Sequence, residues 1–248
     1  VNIVDANGTS YSIQDDQSLV DKYIRVTVTT TDSQGGITNF NSNSSQVTNV
    51  DDPATGTLTI TGTVEEGGAA TYSYSINDVD GTITFISHQW QVSDDDSVWS
   101  NINGATEANY TIPSDQSLVD KYIRLTAVTE DVRGGTTNFN SNSSQVSNVD
   151  DLATGTLTIT GTVEEGGAVS YSSTINDVDG TITFISHQWQ VSDDDSIWSN
   201  INGATGASYN IPSDQSLVDK YIRLTAVTED SRGGTTNIMS NSSQVSNV

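Results

Sequence analysis

Carboxylates dominate the chemistry available to this chain. They stand as Asp51-Asp52, Glu65-Glu66, Asp78-Val-Asp80 and Asp94-Asp-Asp96, and again 99 residues on as Asp150-Asp151, Glu164-Glu165, Asp177-Val-Asp179 and Asp193-Asp-Asp195. Oxygen-only donors in such density suit a hard divalent cation, above all Ca²⁺, which takes six to eight oxygens from carboxylates, carbonyls and water. The competing reading is structural, because Asp in a turn bonds its own backbone. That reading is preferred for the Asp94–Asp96 and Asp193–Asp195 tips. His88 and His187 are one strand position in two copies, and there is no cysteine, so no transition-metal or thiol chemistry is expected. Ser, His and Asp all occur, but no nucleophile elbow or triad motif accompanies them. No enzymatic activity is expected.

Asp and Glu outnumber Lys and Arg 32 to 8, for a net charge of −24, and 25 of the 32 acids are Asp. So many like charges oppose compaction unless a cation bridges them. The same charge argues against nucleic acid as a partner, since binding it needs a basic face. No apolar run reaches 18 residues, so no membrane span is expected in this fragment. The chain opens in mid-repeat, as a fragment does. Asn43, Asn109 and Asn142 are among the glycosylation sequons.

The elements that must position these acids come in copies. Asp51–Val149 and Asp150–Val248 differ at only 12 of 99 positions, and residues 1–50 match the back half of the same unit. Tyr23, Tyr122 and Tyr221 are equivalent, as are Val50, Val149 and Val248. An enzyme has little use for near-identical tandem sites, whereas a protein that must be long does. The 12 differences scatter, and no loop is hypervariable, which favours a spacer over a recognition module.

Within one repeat, Thr57–Thr61, Tyr72–Ile76, Thr84–Val92, Val98–Ile102, Asn109–Ile112, Lys121–Thr129 and Thr136–Val149 read as strands between Gly-, Asp- and Asn-rich turns. No segment keeps a helical period. About seven strands per 100 residues, a Trp on the third and a Tyr opening the sixth predict an all-β fold of tandem immunoglobulin-like Greek-key sandwiches in a linear array. Trp90 and Trp189 should be buried, with Leu58, Ile60, Ile123 and Leu125 facing the core and Tyr122 beside Trp90. Polar, acidic linkers around Asp51 and Asp150 place the domains at 1–50 (an incomplete second half), 51–149 and 150–248. Residues 1–50 lack three strands and cannot close a sandwich alone.

Gln89-Trp-Gln-Val-Ser-Asp-Asp-Asp, Val98-Trp-Ser-Asn-Ile-Asn-Gly-Ala-Thr106 and Tyr122-Ile-Arg-Leu-Thr-Ala127 resemble the Ig-like repeats of giant bacterial surface proteins of the adhesin type. The segment Asn49-Val-Asp-Asp-Pro-Ala-Thr-Gly56 is similar to a cadherin-type junction. An Ig-like topology puts the linker, the Asp-x-Asp loop and the Glu229-Asp230 loop at one pole, and the Glu65-Glu66 hairpin at the other. Glu65, Glu66, Asp150, Asp151, Asp177 and Asp179 are therefore expected to share Ca²⁺ at the 149 joint. Asp51, Asp52, Asp78 and Asp80 are expected to do so at the 50 joint, without glutamates. The resemblance implies the same ligand types: upstream Glu, linker acids and downstream Asp-x-Asp. It also implies an extracellular, cell-surface spacer whose partners are neighbouring repeats. The alternatives are a filament or surface-layer subunit, in which identical chains complete each other by strand exchange, and a glycan- or protein-binding adhesion module.

Overall fold

Strict alternation organises each repeat. Along Tyr122–Asp131 every second residue is buried (Ile123, Leu125, Ala127, Thr129 and Asp131) and the intervening ones are not. Side chains of a strand point alternately to its two faces, so this period of two gives one face to the core. The computed structural model describes residues 1–248 and contains no helix, hence none long and apolar enough to cross a membrane. It divides into two compact units, 1–112 with 120–146, and 113–119 with 147–248.

The first unit opens with β1 (Tyr23–Ile24), β2 (Thr27–Thr31), β3 (Ile37–Asn41) and β4 (Ser45–Gln46). It continues with β5 (Thr55–Gly62), β6 (Ala69–Asn77), β7 (Ile83–Ser93), β8 (Ser100–Asn101), β9 (Tyr110–Thr111), β10 (Tyr122–Asp131), β11 (Thr136–Asn140) and β12 (Ser144–Gln145). One sheet has the order β5-β6-β9. The other has the order β11-β10-β7-β8, with β12 also on β10. The chain thus passes three times between sheets, which makes an immunoglobulin-like Greek-key sandwich. Leu58, Ile60, Ala70 and Ile76 of the first sheet and Trp90, Ile123, Leu125 and Ala127 of the second are all buried. In the second unit β13 (Leu157–Gly161), β14 (Ala168–Ser173), β15 (Thr183–Ser192), β16 (Ser199–Asn200), β17 (Tyr209–Asn210), β18 (Tyr221–Glu229), β19 (Thr235–Met239) and β20 (Ser243–Gln244) repeat the arrangement around Trp189, Ile222 and Leu224.

Three sequence expectations need correction. The strand expected over Val98–Ile102 shrinks to β8, because a turn built on Asp95 holds Ser97 and Val98. The closing strand expected over Thr136–Val149 breaks into β11 and β12. At the break the Asn142 side chain turns across to accept from the Ile60 amide of β5 (2.9 Å). The ring beside Trp90 is that of Tyr110 on β9, with centroids 5.9 Å apart, rather than that of Tyr122.

In β1–β4 the hairpin register is that of the complete repeats: Val28 pairs with Phe40 as Ala127 pairs with Phe139. No second sheet covers it. Val26 and Val28 are half exposed, where their equivalents Leu125 and Ala127 are buried.

Candidate metal centre

The loops at the ends of β6, β10 and the linker build the same acidic site twice. In the first unit Asp51 leaves the linker, Asp80 stands in the middle of the β6–β7 loop and Asp131 ends β10. One carboxylate oxygen from each lies within 4.8 Å of the others. In the second unit Asp150, Asp179 and Asp230 do the same. Calcium holds its oxygens at about 2.3–2.6 Å, so oxygens this close can share one ion.

Each acid has a local reason to be there. Asp78 Oδ1 accepts from the Asp80 amide (2.8 Å), an Asx-turn that fixes the Asp-x-Asp loop, and Asp177 does so for Asp179 (2.9 Å). Asp80 Oδ2 then accepts from the Asp52 amide (2.7 Å), and Asp179 Oδ2 from the Asp151 amide (2.7 Å). Asp52 and Asp151 therefore tie the linker to the loop through their backbone. Asp131 Oδ1 accepts from the Arg133 amide (2.5 Å), and Asp230 Oδ1 from the Arg232 amide (2.6 Å).

The remaining oxygens of Asp131 and Asp230 decide what the site can do. Both residues are 7% exposed, and Oδ2 of each is buried with no hydrogen-bond partner. A buried ionised carboxylate without a donor costs several kcal/mol, so such an atom marks a place for a proton or a cation. Gly135 leaves room for it. A Cβ there would lie 1.6 Å from Asp51 Oδ1 and 2.4 Å from Asp131 Oδ2. At Gly234 the distances are 1.6 Å to Asp150 Oδ1 and 2.3 Å to Asp230 Oδ2.

The electrostatics agree. Although Asp51 is exposed overall, packing around its carboxylate and then the charges of Asp131, Asp80 and Asp78 push its pKa above the ordinary range. Desolvation and then Asp230, Asp179 and Asp177 do the same to Asp150. For Asp52, desolvation leads, followed by the charge of Asp15. Anions crowd here with no basic side chain among the three, which is an environment that favours a cation.

Of the ten acids expected to bind metal, Asp51, Asp80, Asp150 and Asp179 enter the two triads. Asp52, Asp78, Asp151 and Asp177 position them. Glu65 and Glu66 stand on the β5–β6 hairpin, half-buried and buried respectively. Asp131 and Asp230 are the ligand candidates that sequence reasoning leaves out, although it places the Glu229-Asp230 loop at the right pole. The Asp94–Asp96 tip is structural. Asp95 accepts from Ser93, Ser97 and the Val98 amide, which holds its carboxyl far below the usual range, and Asp94 pairs with Lys121 (3.3 Å).

No known family profile matches the chain, and no curated protein does. Among solved structures it is similar to a Ca²⁺-stabilized adhesin that helps an Antarctic bacterium reach out and bind ice. The identity there is 14% over 91% of this chain and 57% of that one, with a TM-score of 0.38. It is also similar to a 1.5-MDa bacterial ice-binding adhesin (14%, 92% and 75%, TM-score 0.35). A tetra-tandem repeat from the extending region of a large adhesion protein gives 17%, 92% and 57%, with a TM-score of 0.28. The chain thus spans little more than half of the first of these.

Proposed function

We propose that this chain is a run of extender repeats from a large bacterial cell-surface protein of the adhesin type, and that Ca²⁺ stiffens its joints. The observation that carries the reading is the buried, unpartnered Oδ2 of Asp131 and of Asp230, each inside a triad of carboxylates beside a linker. The role is mechanical. Without the ion, Asp51, Asp80 and Asp131 repel one another and loosen the linker that carries Asp51. With it, linker, β6–β7 loop and β10–β11 loop are bridged and the joint holds one angle. Repeat boundaries near 50 and 149 follow, since both linkers then serve as joints. Neighbouring repeats are the natural partners, and no catalytic step is invoked. Glu65 and Glu66 are proposed as further ligands.

The test compares the chain in Ca²⁺ and in EGTA by thermal melting and small-angle scattering. An ion that binds only the folded state stabilises it by RT ln(1 + [L]/Kd), about 2.7 kcal/mol at 100-fold excess over Kd. A higher melting temperature and a longer particle in Ca²⁺ are expected. Identical melting and scattering in both buffers would reduce the triads to acidic turns.

A further inference from the structure

One neutral side chain sits on each triad where a cation would be most useful. Gln17 Nε2 donates to Asp80 Oδ1 (2.6 Å) and to Asn49 Oδ1 (3.0 Å). In the second unit Gln116 Nε2 donates to Asp179 Oδ1 (2.8 Å) and to Asn148 Oδ1 (3.0 Å). The third copy of this residue supplies a contrast. Gln215 keeps the bond to Asn247 (2.9 Å), and its other partner is Glu165. The Gln–Asn contact thus belongs to all three copies, and Gln17 and Gln116 carry the Gln–Asp contact as well.

Asp80 and Asp179 are 4% and 3% exposed, so both oxygens of each carboxylate need donors. The linker amide satisfies one, and the glutamine satisfies the other. Its carboxamide carries the partial positive end of a dipole to the carboxylate, which is the contact a cation would make, at lower strength. In Gln17 the other end of the amide, Oε1, is buried without a partner. The buried, unpartnered Asp131 Oδ2 within the same triad independently offers an oxygen to a cation.

The geometry points to Gln17 and Gln116 as cation surrogates: they hold Asp80 and Asp179 while the joint is ion-free and give up that contact when Ca²⁺ arrives. This rests on the calcium reading above and adds a regulatory device to it. In an ion-free joint the linker loosens while the Asp80 and Asp179 carboxylates stay held by the glutamine, and reloading needs only a turn of one amide. That turn brings Oε1 toward the ion and removes a donor from it.

The test is melting of the full chain carrying Gln17→Leu, Gln116→Leu or Gln215→Leu, each in EGTA and in saturating Ca²⁺. Leucine keeps the bulk and removes the donor. Loss of a hydrogen bond to a charged group is expected to lower the transition in EGTA by about 3–12 °C for Q17L and Q116L. In Ca²⁺ the ion replaces the lost donor, and the melting temperature should equal that of the unaltered chain. Q215L should lose the same amount in both buffers. Gln116→Glu covers the chance that leucine disrupts packing: it should melt lower than Q116L in EGTA, through repulsion with Asp179, and recover in Ca²⁺. Equal losses in both buffers for Q17L and Q116L, or no loss in either, would overturn the surrogate role. If the unaltered chain itself melts identically in Ca²⁺ and EGTA, the calcium reading fails first and this inference with it.

Discussion

Asp51 and Asp131 meet across the Cα of Gly135, so close that a methyl group there would lie 1.6 Å from one carboxylate and 2.4 Å from the other. Glycine is needed for the approach itself, since Gly135 carries no left-handed backbone. Gly135→Ala must push Asp51 or Asp131 aside. Overpacking of this kind costs about 1–3 kcal/mol. Calcium binding at the first triad should weaken while the second stays intact, and Gly234→Ala should do the reverse. Calorimetric titration of each variant reads this directly, and loss of neither site would separate the glycines from ion binding.

Removing one buried charge should have opposite signs in the two buffers. Asp131→Asn keeps the Oδ1 acceptor for the Arg133 amide and deletes the unpaired anion. In EGTA the variant should be more stable than the unaltered chain, by about 1–3 kcal/mol. In Ca²⁺ it should be less stable, having lost a ligand. Chemical denaturation in both buffers gives the two numbers. A loss in both would make Asp131 a structural acid.

The calcium-dependent gain should shrink with falling pH. Asp51, Asp52 and Asp150 have raised pKa values in the folded protein. Protonating them therefore favours the fold: that contribution is complete below the ordinary carboxylate pKa of about 3.9 and is lost as pH rises through the raised value. Calcium competes with those protons. The difference in melting temperature between Ca²⁺ and EGTA should fall steadily between about pH 6 and pH 4. His88 and His187, whose burial lowers their pKa, destabilise the fold as pH falls below about 6.5. They do so in both buffers and cancel in the difference. A gain that stays constant to pH 4 would contradict carboxylate ligation.

The core and the turn should answer to mutation without any reference to calcium. Trp90→Ala empties the centre of the first sandwich, where the indole is fully buried and donates to the Glu107 carbonyl (3.1 Å). A loss of about 3–5 kcal/mol is expected, equal in Ca²⁺ and EGTA. Asp95→Ala should lower stability in both buffers alike, because its carboxylate is taken up by Ser93, Ser97 and Val98. An ion-dependent loss for Asp95→Ala would place a ligand in that turn after all.

The strands were legible because period-two alternation and two near-identical copies reinforce each other. β7 and β10 lie within two residues of where the pattern puts them. The breaks were not legible: nothing local announces that Asn142 turns to β5, since the contact spans 82 residues. The site divides in the same way. Paired acids advertise themselves as Asp51-Asp52 or Asp78-x-Asp80. Asp131 is a single acid at a strand end, and only its burial reveals its role. The signal available was its place in the alternation, which puts Asp131 on the inward face with Ile123 and Leu125. Gln17 and Gln116 carry no charge and no motif, and they become visible only when Asp80 and Asp179 are brought to them.

The most direct test counts ions. Equilibrium calcium binding is measured for the unaltered chain, for Asp131→Asn, for Asp230→Asn and for the double variant, at submillimolar to millimolar Ca²⁺, the range of extracellular modules at about 10⁻⁴–10⁻³ M. Each single variant should lose one triad's ion, and the double variant should lose both. Saturable binding that survives intact in the double variant, or none in the unaltered chain, would contradict the account.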